Sequence, residues 1–376
     1  MRLTSLQLEQ FRNFEKETVA LCDGLSLLVG RNGQGKTNLL EAIYILGYGK
    51  TYRTSLAREC IRHGQPECRV SGVITHGGGE KRLQVRISRS DKDLSVHGKS
   101  VGLDEFAGQF HVLAFTQGHI SAIRGAPAER RAFLDRALVM MYPGHVRHIA
   151  GYVRALKQRN SLLGAEVDAR QAVVDDRQIE CWDEAIAREG ARLTWNRVRY
   201  VKELKQELPQ ALFGGEEVKL HYLAVGCGDL SSVEAIEGSL REGLRASRCA
   251  DRKLGFTTVG PHRDDLKIYI DGKPAGHFGS AGQQRSAMIS LYFAQMEIHR
   301  RDQGYYPVFL VDDVEAELDT GRLRTFLSYL SERTQTLVTT AKEEILPPMS
   351  SSVSRFLVES GTVSACALGM EPSGAP

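Results

Sequence analysis

The sequence predicts an α/β protein. A phosphate-binding sheet is assembled from the two ends of the chain, and a mainly helical lobe is inserted between them. Three observations predict it. Gly30-Arg31-Asn32-Gly33-Gln34-Gly35-Lys36-Thr37 satisfies the pattern G-x-x-x-x-G-K-[ST]. Val308-Phe309-Leu310-Val311 is a short apolar run that ends in Asp312-Asp313. Lys36 and Asp312 stand 276 residues apart, more chain than one nucleotide-binding sheet needs. An insertion accounts for this simply. The expected parts are 1–125 and 256–368 for the sheet, 126–255 for the helical lobe, and a disordered tail over 369–376.

Leu25-Ser26-Leu27-Leu28-Val29 is apolar and bounded by Gly24 and Gly30, which predicts a buried strand. Asn38 to Leu46 predicts a helix ending near Gly47. Strand, glycine loop and helix are the context the pattern requires. Gly30, Gly33 and Gly35 can take backbone angles closed to other residues, so successive N–H groups turn inward. The helix start adds partial positive charge. All eight residues from Gly30 to Thr37 are therefore candidate nucleotide ligands. Lys36 would reach the β- and γ-phosphates, and the Thr37 hydroxyl would ligate Mg²⁺.

The second half supplies the acids. Asp312 closes its strand at the C-terminal end, where open α/β sheets place their sites, and is the expected magnesium partner through water. Asp313 stands where a general base could polarise the attacking water. Upstream, Phe278-Gly279-Ser280-Ala281-Gly282-Gln283-Gln284-Arg285 precedes a helical pattern marked by Ile289, Phe293 and Met296. Ser280 is the expected N-cap, and Gly282 leaves the first amides accessible to an anion. This stretch resembles the signature motif of the ABC-type ATPases, whose serine and glycine contact the γ-phosphate bound by the opposite subunit. The resemblance makes Ser280, Gly282 and Gln283 nucleotide ligands in a second copy. Glu317-Leu318-Asp319 stands where that class has its dimer-contact loop. Thr336 to Thr340 reads as a strand; many ABC ATPases have a switch histidine here, and this chain offers Thr339 or Thr340.

Between the two halves the pattern is helical. Phe133, Ala137 and Met141 share one face with Leu134 and Leu138 beside it. Ile186, Leu193 and Tyr200 recur every seven residues, but two heptads are too short for a long coiled-coil arm, so a packed helical hairpin is expected. Gly214-Gly215 and Gly226-Cys227-Gly228 read as turns around a possible strand, Val218 to Tyr222.

Composition is that of a globular protein: of 376 residues, 42% are hydrophobic and 25% charged. The seven cysteines are scattered with no C-x-x-C pair, which predicts reduced thiols in a cytoplasmic protein. The first residues lack a signal-peptide core, and no apolar run approaches membrane-spanning length. Formal net charge is only +3, so any nucleic-acid site must come from local clustering. From Arg124 to Asn160 there are eight basic residues against two acids, and Lys50, Arg53, Arg58 and Arg62 surround the single Glu59. Arg53, Arg130, Arg131, Arg154 and Lys157 are the candidate DNA-phosphate contacts. No recognition helix or zinc module is visible, so base-specific readout is not expected.

The assembled motifs resemble the RecF family of bacterial DNA replication and repair proteins, short relatives of the SMC ATPases. The matching runs are Leu6 to Phe14, Gly30 to Thr37, Lys50 to Thr54, Pro127 to Asp135, Gly260-Pro261-His262-Arg263-Asp264-Asp265-Leu266, Ser280 to Arg285, and Asp312-Asp313-Val314-Glu315-Ala316-Glu317-Leu318-Asp319. The Gly-Pro-His-Arg-Asp-Asp and Asp-Asp-Val-x-x-Glu-Leu-Asp runs are far more specific than the phosphate loop. One departure is Phe115-Thr116-Gln117-Gly118-His119, where relatives tend to show Pro-x-Asp after the phenylalanine. Gln117 is either the glutamine that links Mg²⁺ to the attacking water or a surface polar residue.

The resemblance implies an ABC/SMC-type head that binds ATP and Mg²⁺ and dimerises on ATP. It implies binding to double-stranded DNA and to single-strand/double-strand junctions, slow DNA-stimulated hydrolysis, and recombinase loading with RecR and RecO. Two other readings stay open: a nucleotide-gated DNA scaffold whose turnover is incidental, and a soluble ABC subunit of another system. A metal-dependent nuclease needs clustered carboxylates and histidines. Pro261 to Asp265 is the nearest candidate, and the resemblance makes that run structural or nucleotide-proximal.

Overall fold

Alternating apolar and polar residues at the N-terminus fold as an antiparallel sheet, and the continuous apolar runs fold as a parallel one. The computed structural model describes residues 1–54, 56–169, 175–209, 216–313, 320–341 and 353–366, with the side chains of 117, 166, 168, 169 and 366 left aside. It divides into two compact units, Met1–His119 with Met296–Pro376, and Ile120–Gln295.

In the first unit, strands β1 (Arg2–Phe11) and β2 (Phe14–Ala20) precede β3 (Leu25–Val29). Helix α1 (Lys36–Tyr48) follows the phosphate loop. Strands β4 (Glu67–His76), β5 (Gly79–Ser88), β6 (Lys92–Val96) and β7 (Lys99–Ser100) come next, then α2 (Leu103–Phe106) and β8 (Val112–Phe115). The antiparallel sheet has the order β2-β1-β4-β5-β6-β7. Leu3, Leu6, Leu8 and Phe11 of β1 and Val70 and Ile74 of β4 face the core.

The second unit is built on helices α3 (Ser121–Arg124), α4 (Pro127–Met141), α5 (His145–Ala169), α6 (Asp176–Glu207) and α7 (Val233–Leu254). Ile186 and Leu193 of α6 pack with Tyr152 and Ala155 of α5 and Leu244 of α7, so the seven-residue repeat serves a helical cluster. Strands β9 (Val218–Leu223), β10 (Asp265–Ile270) and β11 (Lys273–Pro274) form a small antiparallel sheet. Helix α8 (Ala275–Phe278) leads to α9 (Ala281–Gln303), whose residues from Met296 onward belong to the first unit.

The Gly-Pro-His-Arg-Asp-Asp run ties the second unit together. Buried Arg197 of α6 grips Asp135 of α4 through two 2.8 Å bonds and donates to the Pro261 carbonyl. His262 lies 2.6 Å from the Tyr152 hydroxyl and 3.0 Å from the Thr257 carbonyl, and burial pushes its pKa down to about 4. Asp264 accepts from the Tyr222 hydroxyl, the Val225 amide and Thr194. This run is structural: its side chains are taken up by internal bonds.

The first unit is completed by β12 (Val308–Val311), α10 (Thr320–Ser331), β13 (Thr336–Thr340), β14 (Val353–Glu359) and β15 (Thr362–Cys366). Its second sheet has the order β15-β14-β3-β13-β12-β8, parallel except for the edge strand β15. Helix α1 lies between the two sheets. A Cβ on Gly72 of β4 would fall 2.5 Å from Leu46, and one on Gly47 2.3 Å from Val112 of β8, so glycine on each side permits the approach. Gln335 stitches the sheets together. It accepts from the Leu3 amide at 2.8 Å and donates to the Leu3 and Cys22 carbonyls at 2.8 and 2.9 Å.

The six cysteines whose side chains are described are all free. Among the described residues no helix is long and apolar enough to cross a membrane. The expected dimer-contact loop Glu317-Leu318-Asp319, the Gly214-Gly215 turn and the 369–376 tail lie outside the described residues.

Candidate active site

The sheet order creates the site. β13 lies between β3 and β12, so the loop after β3 and the acid after β12 flank the end of β13. Thr37, at the start of α1, donates to Asp312 Oδ1 at 2.9 Å. Thr339 of β13 donates to the same oxygen at 2.8 Å and accepts from the Asp313 amide at 2.8 Å. Of the two hydroxyls that the sequence offers at the switch position, Thr339 is the one bonded to Asp312. The Asp312 amide donates to the Phe115 carbonyl of β8, which fixes the acid from behind. Asp312 is buried, and burial raises its pKa above the ordinary aspartate value against the lowering effect of Thr339 and Thr37. Asp313 is exposed, with φ 49°.

In the phosphate loop Gly33 and Gly35 take positive φ, 83° and 118°, and Gly35 is the N-cap of α1. Gly30 does not. It is required for space, since a Cβ there would lie 2.3 Å from the Val358 carbonyl oxygen of β14. Arg31, Asn32 and Gly33 form the exposed crest. Lys36 is buried and its ammonium donates to the Gly30 and Arg31 carbonyls.

Three supports escaped sequence reasoning. Asn13 donates to the Gln34 carbonyl at 2.8 Å and accepts from Asn38 at 2.8 Å. The turn between β14 and β15 reaches the same loop: the Ser360 amide donates to Gln34 Oε1 at 2.7 Å and the Gly361 amide to the Gln34 carbonyl at 3.2 Å. Glu41 of α1 is fully buried and accepts from Arg12 at 2.8 and 3.0 Å, from Thr51, and from Arg53 at 3.4 Å. The one available signal was a single acid inside the apolar run Leu39 to Leu46.

The remaining candidates fall in other places. Ser280 and Gln283 form a reciprocal cap at the start of α9: the Gln283 amide donates to Ser280 Oγ at 3.2 Å and the Ser280 amide to Gln283 Oε1 at 2.9 Å. Ser280 is exposed and Gly282 half-buried. Gln117 begins a 3₁₀ turn after β8, and its side chain lies outside the described set. Arg53 is turned onto α1, donating to Asn38 at 2.7 Å as well as to Glu41. Arg130 forms a bidentate pair with Asp265 at 2.6 and 3.0 Å, and Arg131 donates to the Asp264 carbonyl. Both are thus held by the Asp-Asp pair. Arg154 and Lys157 of α5 are exposed, three residues apart on one helix face.

Comparison with known proteins places these features. A family model described as the RecF/RecN/SMC N terminal domain matches residues 2–364. The DNA replication and repair protein RecF of Anaeromyxobacter sp. is 35% identical over 97% of this chain and 99% of its own length. RecF of Myxococcus xanthus is 34% identical over 91% of each. The solved structure of a recombination mediator protein RecF with ATPrS, in the RecFOR pathway, superposes with a TM-score of 0.89 at 29% identity, covering 97% of this chain and 98% of that one. An SMC head bound to the C-winged helix domain of ScpA shares the fold at 15% identity and a TM-score of 0.52, covering 98% of both chains. The fold is therefore the ABC/SMC-type phosphate-loop head, and the chain belongs to the RecF branch of the RecF/RecN/SMC family.

Proposed function

We propose that this chain is an ATP-dependent DNA-binding protein of recombinational repair and replication restart, and that two copies sandwich two ATP molecules. The observation that carries the reading is the convergence of Thr37, Asp312 and Thr339 beside an intact phosphate loop. A hydroxyl and a carboxylate meeting at 2.9 Å are an oxygen donor set suited to Mg²⁺, a hard cation that keeps most of its waters. In this reading Thr37 and, through water, Asp312 hold the metal, with Gln117 as a further ligand. Held there, Mg²⁺ would supply charge neutralisation on the phosphates. The loop from Gly30 to Gly35 cradles the phosphates, Lys36 leaves its carbonyl partners for them, and Asp313 orients the attacking water.

Ser280, Gly282 and Gln283 of the second copy complete the pocket. They stand at the start of α9, a 23-residue helix, with Ser280 exposed and Gly282 half-buried. ATP then closes the pair over duplex DNA at gaps or junctions, and slow, DNA-stimulated hydrolysis reopens it. RecR and RecO are the expected partners for recombinase loading, by analogy with relatives solved in the RecFOR pathway. Arg154 and Lys157 are the best-placed backbone contacts of the basic set, because Arg53, Arg130 and Arg131 are engaged within the chain.

The test is the mass of the particle in solution with and without ATP and a gapped duplex. Wild type should double in mass with ATP. Lys36→Ala should stay single and fail to bind nucleotide. Ser280→Arg should bind nucleotide within a few-fold of wild type yet stay single and lose turnover. Normal ATP-dependent pairing of Ser280→Arg would refute the composite site.

A further inference from the structure

Asn13, in the turn between β1 and β2, lies in a slot lined by two glycines. A Cβ on Gly35 would fall 2.6 Å from its Nδ2 and 2.9 Å from its Oδ1, and one on Gly361 would fall 3.4 Å from its Nδ2. The Asn13 amide is the last member of a chain of three hydrogen bonds that ends on the phosphate loop. Arg53 Nη1 donates to Asn38 Oδ1 at 2.7 Å, Asn38 Nδ2 to Asn13 Oδ1 at 2.8 Å, and Asn13 Nδ2 to the Gln34 carbonyl at 2.8 Å. The chain runs in one direction only. A guanidinium only donates and a carbonyl oxygen only accepts, so both asparagine amides have their orientation set from the two ends. The head of the chain is fixed as well. Arg53 also donates to Glu41 of α1, which Arg12 holds at 2.8 and 3.0 Å.

The far end of the chain bears on anion binding. The Gln34 carbonyl takes a second bond from the Gly361 amide at 3.2 Å, so two donors fix its direction. The peptide that follows is trans and planar, and in such a unit the N–H points opposite to the C=O. Holding the Gln34 carbonyl toward Asn13 therefore holds the Gly35 N–H away from it, as a donor to an anion within the loop. Gly35, at φ 118°, has no side chain to resist rotation of that peptide, so the restraint comes from outside the loop. We propose that Asn38 is a positioning residue for phosphate binding: acting through Asn13, it keeps the Gln34–Gly35 peptide turned so that the Gly35 amide serves the nucleotide. The inference rests on the ATP reading above. It gives a role in nucleotide affinity to two asparagines that contact no phosphate in that reading, and it makes their effects interdependent.

Asn38→Asp keeps the shape and the bond from Arg53 but has no hydrogen to give Asn13. The Asn13 amide then turns its Nδ2 to the new carboxylate and its Oδ1 to the Gln34 carbonyl, which sets two acceptors face to face. Binding of a fluorescent ATP analogue is titrated for wild type, Asn38→Asp, Asn13→Ala and the double variant, beside melting curves of the nucleotide-free proteins. Asn38→Asp should lose about tenfold in affinity in the wild-type background and less than about threefold in the Asn13→Ala background, where no chain is left to break. Its nucleotide-free melting temperature should match that of wild type, because Arg53 keeps its partner. Asn38→Leu, which carries no charge, is run in the same two backgrounds and supplies the comparison if Asn38→Asp does not fold. Unchanged affinity overturns the proposal. Equal loss in both backgrounds also overturns it, since the substitution then acts without Asn13. If wild type itself binds no nucleotide, the ATP reading falls and this inference falls with it; if wild type binds and the two losses simply add, only the inference falls.

Discussion

Asp312 receives two hydroxyl hydrogens on one oxygen, from Thr37 and Thr339, while its amide is anchored on β8. Hydrogen bonds of this kind hold the carboxylate in one orientation, which the proposed magnesium role requires. Because burial raises the Asp312 pKa, its charged form is lost at a higher pH than an exposed aspartate's. Asp312→Asn preserves the shape and both hydroxyl contacts but removes the charge. It should leave ATP affinity within a few-fold and lower turnover by roughly 10²-fold, read by phosphate release under saturating ATP and Mg²⁺. Turnover equal to wild type would remove Asp312 from the metal site.

At the scale of elements, the hairpin β14–β15 is the support that motif reading could not supply. Its tight turn puts Ser360 and Gly361 at φ 49° and 80°, and both amides end on Gln34. Gly361 is doubly constrained, because a Cβ there would also sit 2.5 Å from the Asn13 carbonyl oxygen. Gly361→Val should cost about 1–3 kcal/mol of stability by forcing a branched residue into that conformation. It should also weaken ATP binding more than the stability loss alone explains, since the phosphate loop loses its outer brace. Chemical denaturation and nucleotide titration on the same preparation check both. Full ATP affinity in a destabilised variant would make the hairpin a passive edge.

For the whole molecule, acid sensitivity follows from buried imidazoles. His111 and His299 share a 2.5 Å contact, with the Tyr305 hydroxyl 3.0 Å from His111. Burial pushes their pKa values down to about 3 and about 4; for His111 the His299 ring, Lys81 and His76 push the same way against a backbone bond at Gly108, and for His299 the Met1 amine does so against the Tyr305 carbonyl and Asp302. A histidine whose folded pKa is depressed is protonated more readily in the unfolded chain. Its contribution is therefore present above about pH 6.5 and lost as pH falls toward 4. His262 acts in the same direction. Melting temperature should fall steadily from pH 7 to pH 4.5, and His299→Gln should flatten that slope. A pH-independent melting temperature over this window would contradict the assignment. The proposed DNA binding gives a second whole-molecule test. The Arg154→Ala, Lys157→Ala double variant should reduce the slope of log affinity against log salt by about 2 while ATP binding is unchanged.

The strands β3, β12 and β13, helix α1 and the Ser280 cap were legible because each rests on local chemistry: apolar runs bounded by glycine or acid, and a serine followed three residues later by glutamine. The small sheet carrying β9 and β10 was half legible, as the strand from Val218, and the second unit extends to Gln295, past the end at 255 of the helical pattern. Arginines were the least legible residues. Count and clustering mark a basic stretch, but Arg130 meets Asp265 across 135 positions and Arg53 folds back onto α1. Charge pairing depends on which distant acid the fold delivers. The chain alone determined the phosphate loop, the acid-ended strand and the family. Only the tertiary structure decided which hydroxyl meets Asp312 and which turn braces Gln34, because those contacts join residues that sheet order, not sequence spacing, brings together.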